Sequence, residues 1–66
     1  MGYRDEDEEV EIDVGVRHET DKAYLVYDGK REVWIPKSQI VDKLVQKGKI
    51  VQITLPEWLA KDKGLI

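Results

Sequence analysis

The side chains of this 66-residue chain that could do chemistry are few, and their spacing does not assemble a catalytic centre. His18 is the single histidine and cysteine is absent, so no His–His or Cys–His metal pair can form and thiol chemistry is excluded. A general base at His18 would need a positioned nucleophile, and none is identifiable nearby, so His18 reads as an exposed turn residue. Ser38 follows Lys37, the order of a Ser–Lys dyad, but no glycine-rich oxyanion loop accompanies it and a helix cap is the better reading. Glu57 likewise reads as a cap and Asp28 as a turn residue. The five glycines are scattered, in neither the GxxxxGK nor the GxGxxG spacing that cradles phosphate. The expectation is a non-enzymatic protein with no cofactor and no metal.

What remains is aromatic and basic. Trp34 sits in "REVWIPKSQI" and Tyr24 in "AYLVY", with Arg17, Lys22 and Lys37 close in sequence to one or the other. Aromatic platforms with basic rims are how small β-barrels stack single-stranded bases, at about 1 to 3 kcal/mol per base. The competing expectation is that Trp34 is covered by a C-terminal helix carrying Trp58, which would itself pack on the sheet.

Charge is distributed unevenly. Residues 1–13 hold seven acids against Arg4, whereas residues 14–66 hold ten bases against seven acids, a balance of +3. An acidic arm over residues 1–9, with Asp5, Glu6, Asp7, Glu8 and Glu9, is therefore expected to precede a mildly basic domain over 10–66. The longest apolar stretch, residues 23–27, is far short of the roughly 20 residues that span a bilayer, and the acidic start lacks signal-peptide character. A cytoplasmic protein is expected.

The elements that must position these residues are mostly strands. Val10, Ile12, Val14 and Val16 alternate with Glu11, Asp13 and Gly15, which predicts a half-buried strand. "HETDK" predicts a turn, "AYLVY" a second strand, Asp28-Gly29 a hairpin and residues 31–35 a third strand. A three-residue loop would align Ala23, Leu25 and Tyr27 with Val33 and Ile35 and leave Tyr24 beside Trp34 on the other face. A four-residue loop would align Tyr24 and Val26 with them instead, and the first register is expected. Ile40, Val41, Leu44 and Val45 form an i, i+1, i+4, i+5 stripe that predicts a short helix capped by Ser38 and stopped at Gly48. "KIVQITL" predicts the fourth strand. Thr54 and Glu57 predict a capping box for a last helix ending at Gly64, with Leu65 folded back on it. Val14, Leu25, Val33, Ile35, Val51, Ile53 and Leu59 are expected to share one core.

The fold class is thus mostly β with short helices: a small curved antiparallel sheet or partly open barrel of SH3-like or OB-like character with a C-terminal helix.

"ETDKAYLVYDGKREVWIPKSQI" together with "ITLPEWLAKDKGL" resembles a family of small phage and prophage proteins that carry similar "ETxKA", "WIPKS" and "PxWLAxxKGL" motifs. The resemblance covers about two thirds of the chain. The matching positions are Glu19, Thr20, Lys22 and Ala23, then Trp34 through Ser38, then Pro56, Trp58, Leu59, Ala60, Lys63, Gly64 and Leu65. It implies a phage or mobile-element setting and no mechanism. Residues 41–49 and the acidic arm depart from the pattern.

Two functional readings follow. One is a protein-interaction module acting on a host nucleic-acid-processing or defence protein, its acidic arm presenting phosphate-like charge. The other is an accessory single-stranded nucleic-acid-binding barrel, with Tyr24 and Trp34 stacking and Lys22, Lys37, Lys47 and Lys49 meeting phosphate. A balance of +3 is weak for a dedicated nucleic-acid binder, which favours the first. A monomer or weak homodimer is expected.

Overall fold

Alternating apolar residues build six short strands, in chain order β1 (Glu9–Asp13), β2 (Gly15–Glu19), β3 (Ala23–Tyr27), β4 (Glu32–Pro36), β5 (Asp42–Gln46) and β6 (Lys49–Pro56). A 3₁₀ turn (Lys37–Gln39) follows β4, and one helix, α1 (Glu57–Asp62), closes the chain. The computed structural model describes residues 8–66; Asp5, Glu6 and Asp7 of the expected arm lie outside the described residues. The strands form two antiparallel three-stranded sheets, β1-β6-β5 and β2-β3-β4, rather than a closed barrel. No helix among the described residues is long and apolar enough to cross a membrane.

The expected first strand is two strands meeting at a corner. Val10, Ile12 and Val14 do share the core side, and the Val14 N–H donates to the Val51 carbonyl at 3.2 Å as the chain leaves β6. Gly15 then carries it into the second sheet, opposite Tyr27. One bent strand thereby serves both sheets, and β2 packs against β6 across the interior.

The Asp28-Gly29 hairpin forms, but with the four-residue loop. Tyr24 stands opposite Ile35 and Val26 opposite Val33, overturning the expected register. The Asp28 carboxylate accepts the backbone N–H groups of Lys30 and Arg31, both at 2.9 Å, and Gly29 supplies a φ of 102°. Asp28 to Arg31 thus lie beyond the last paired residues, Tyr27 and Glu32, and the Asp28 N–H also donates to the Arg31 carbonyl at 3.3 Å. Val26 and Ile35 consequently become fully buried, while Leu25 moves to the outer face and leaves the expected core.

Residues 40–48 are not helical. Ser38 lies inside the 3₁₀ turn and caps nothing. Lys47 (φ 54°) and Gly48 (φ 78°) join Gln46 to Lys49 as a two-residue hairpin, the pair of positive φ values a type I′ turn requires. Gly48 is a hairpin glycine and β5 is the partner strand of β6. A bulge between Leu44 and Val45 leaves Val51 as the extra residue of β6, so Ile50 packs on the core in its place.

The predicted capping box is also absent. Pro56 ends β6 and stands at the N-cap of α1 without a side-chain bond, and the Glu57 N–H donates to the Glu8 carbonyl at 2.8 Å. The helix end matches expectation: Gly64 has φ 77° and the Leu65 N–H reaches back to the Ala60 carbonyl at 2.8 Å, a Schellman closure. Leu65 packs on a core of Val14, Val26, Ile35, Ile53, Leu55, Leu59 and Ala60, all apolar.

Ile53, fully buried at the centre of β6, is expected to cost about 2 to 5 kcal/mol when cut to Ala, against under about 1.5 kcal/mol for Leu25→Ala on the outer face. Urea unfolding of the two variants measures the contrast. Gly64→Ala should cost about 1 kcal/mol, since its φ disfavours a Cβ that would also stand 2.5 Å from Nη1 of Arg31.

Candidate functional site

Cross-strand partners share a face, so the β2-β3-β4 register decides which side chains can act together. Leu25 lies opposite Trp34 on one side and His18 on the other, and Tyr27 lies opposite Glu32 and Gly15. The outer face therefore presents His18, Leu25, Tyr27 and Trp34 in one patch. Tyr24 points the other way, beside Ile35 and against the core. The expected Tyr24–Trp34 platform does not exist, because the four-residue loop puts the two rings on opposite faces.

Trp34 is 43% exposed, so α1 does not cover it. Trp58 is 40% exposed and does not seal the helix to the sheet; Leu59 and Ala60 do that. His18 belongs to β2 rather than to a turn, and it meets Trp34 edge-on, with ring centroids 6.0 Å apart and planes at 88°. The turn itself belongs to Thr20, whose hydroxyl oxygen accepts the Ala23 N–H at 3.1 Å.

The bulge between Val16 and His18 leaves Arg17 as the extra residue of β2. Its guanidinium lies 4.2 Å from the centroid of the Tyr27 ring, and its Nε is 3.6 Å from a Glu32 carboxylate oxygen. The Tyr27 hydroxyl donates to the Gly29 carbonyl at 3.0 Å, tying the same ring to the hairpin loop. Arg17 thus belongs to the aromatic face, but its charge is matched there.

Lys37 is matched as well. It donates to Glu19 at 2.6 Å and sits 4.9 Å from the Tyr24 ring centroid, and the Glu19 hydrogen bond holds its pKa above the usual lysine value. It has no bond to Ser38, so the dyad geometry is missing. Lys22 is exposed in the turn before β3, its carbonyl accepting the Lys37 N–H at 2.7 Å. Lys47 and Lys49 stand at the β5-β6 hairpin, in the other sheet from Trp34. The four lysines expected to meet phosphate, Lys22, Lys37, Lys47 and Lys49, are therefore dispersed over two sheets. Among the described residues, no three His, Asp or Glu side chains come together to hold a metal ion.

A second concave feature lies where β2 diverges from the first half of β6. This open cleft of about 510 Å³ is walled by Val16, Tyr24, Ile50 and Val51, with Glu19 and Lys49 its charged members. It follows from the corner at Val14: β1 pairs with β6 only from Gln52 onward, so Lys49 to Val51 have no β1 residue beside them.

Asp28 holds the loop that sets this face. Its carboxyl is held below the usual aspartate range by the backbone N–H groups of Arg31 and Lys30. A depressed folded-state pKa means that its stabilising effect is present above the unfolded value and lost as pH falls through the folded one. Asp28→Ala should therefore melt at a lower temperature than the native chain at pH 7, and the gap should narrow below about pH 4. Thermal scans at the two pH values measure it. Trp34→Ala, by contrast, should change stability by less than about 1 kcal/mol, since the ring is largely outside the core.

No protein-family model, curated protein or solved structure matches this chain, so its functional reading rests on the geometry of this face.

Proposed function

We propose that the chain is a non-catalytic protein-interaction module of phage or mobile-element type, acting on a host nucleic-acid-processing or defence protein through the outer face of β2-β3-β4. The observation that carries this reading is the exposed Trp34, beside His18 and Leu25, on a face where Arg17 is already matched by Glu32 and Tyr27. An aromatic patch without free charge suits an apolar protein surface, where Trp and Tyr supply most of the contact energy. It suits phosphate poorly. The small two-sheet scaffold, with one strand bent between sheets, is in keeping with an SH3-like or OB-like module. The mobile-element setting comes from the motif resemblance alone.

The alternative, a single-stranded nucleic-acid binder, keeps Trp34 as a stacking residue but loses Tyr24 to the inner face and Lys37 to Glu19. A salt titration separates the two readings. Nucleic-acid binding through several phosphates weakens log-linearly with salt, whereas the module reading expects no measurable single-stranded DNA binding at about 50 mM salt. Removing residues 1–7, which takes away Asp5, Glu6, Asp7 and Arg4, should not create such binding. Capture of a host protein from nuclease-treated lysate by the native chain, lost in Trp34→Ala while the fold persists, is the expected result. Steep salt-dependent DNA binding, itself lost in Trp34→Ala, would replace this reading with the alternative.

A further inference from the structure

Among the described residues, two open sheets present four edges, β1 and β5 in one and β2 and β4 in the other. A free edge is a row of backbone donors and acceptors ready to pair, and proteins blunt such edges with charge, bulges or proline. Three of the four are blunted. β1 repeats Glu9, Glu11 and Asp13 on one face, so a strand of the same sequence laid against it would meet like charge. β2 is bent by the bulge at Arg17, and β4 ends in Pro36, which has no N–H to give.

The fourth edge is the least protected: the extra residue of its bulge, Val51, lies on β6, and it contains no proline. β5 is exposed along its whole length, and its two charges, Asp42 and Lys43, are opposite in sign. Val41 (53% exposed), Leu44 (46%) and Val45 (50%) are half of the large hydrophobic residues exposed among the described residues. Here they lie within five positions of one another.

We propose that β5 pairs antiparallel with β5 of a second copy of this chain, joining two β1-β6-β5 sheets into one six-stranded sheet. A two-fold axis normal to the sheet keeps every side chain on its own face, so opposed residues must share the same parity along β5. Alternation along β5 is intact, because the extra residue of its bulge, Val51, belongs to β6. The registers that remain are centred on one residue each. Centring on Asp42 opposes two aspartates, on Lys43 two lysines, on Val45 sets Lys43 against Lys47 of the second copy, and on Gln46 sets Lys43 against Lys49 of the second copy. Centring on Leu44 opposes no like charges: Leu44 meets Leu44, Asp42 meets Gln46, and the aliphatic stem of Lys43 lies beside Val45 of the second copy. Self-complementarity in that register makes a second copy the fitting occupant of this edge.

Sedimentation equilibrium of the full chain from about 10 μM to about 1 mM, the range of weak association, tests this. The expected mass rises from 7.7 kDa toward twice that value, and Leu44→Lys, which sets two cations on the axis, stays monomeric to at least about tenfold higher concentration. Leu44 is exposed, so that variant should fold; circular dichroism checks it. Should it fail to fold, Leu44→Cys decides, since the native chain has no cysteine to compete. Under mild oxidation it should form a covalent dimer well before Trp58→Cys, which is equally exposed but lies on the helix. Trp34→Ala should dimerise like the native chain, which separates this edge from the aromatic face. A native chain monomeric throughout, a dimer unaffected by Leu44→Lys, or equal cross-linking of the two cysteine variants would overturn the proposal.

Discussion

Two backbone N–H groups, those of Lys30 and Arg31, end on one oxygen of Asp28, and most of what is distinctive about the β2-β3-β4 sheet depends on that arrangement. It commits four residues to the turn and so sets Tyr27 opposite Glu32. Because strand side chains alternate faces, one residue more or less in the loop would exchange the inner and outer sets of β3 relative to β4. Val26 and Ile35 would lose their shared face, and Leu25 would no longer stand beside Trp34. An exposed aspartate thereby decides which aromatic rings reach solvent.

The second constraint is size. A chain this short buries only about 60% of the surface its unfolded form exposes, and among the described residues the buried core is seven side chains. The bend at Val14 is how one strand contributes to both sheets and lets so few residues enclose an interior. The same bend carries β2 away from the first half of β6, opening the cleft beside Ile50 and Val51, and two separate sheets leave four edges rather than none. With no polar residue buried among the described residues, the interior they form has no hydrogen-bonded side-chain network to add to burial.

Legibility in the sequence followed burial. Val10, Ile12 and Val14 alternate against acids because one side is core, and Asp28-Gly29 and Gly64 stand out because few other residues serve at those backbone positions. Helical spacing suggests a helix where β5 stands because its apolar residues are exposed: with no core behind them, the spacing of Val41, Leu44 and Val45 carries no information about period. Lys47-Gly48 was the available signal, a two-residue turn directly before a strongly alternating strand. The β3-β4 register was not decidable from "AYLVY", which is apolar on both faces. A side-chain-closed turn at Asp28 was the feature that distinguished the two loops. The three-residue loop would put Tyr24 beside Trp34, and only the four-residue loop brings His18, Leu25 and Tyr27 to the face of Trp34.

The two exposed apolar features differ in kind, and the difference bears on how each can be used. Trp34, His18 and Tyr27 form an aromatic face whose neighbouring charges, Arg17 and Glu32, are matched to each other, a composition suited to recognition of another molecule's surface. β5 offers backbone as well as side chains, and its pairing is governed by register more than by shape. The first lies on the outer face of one sheet and the second on the edge of the other, so neither consumes the residues the other needs. A two-fold through β5 would present two copies of the Trp34 face at a fixed separation. Against a partner that is itself repeated, the second contact would then be intramolecular, raising overall avidity without any new contact in either face.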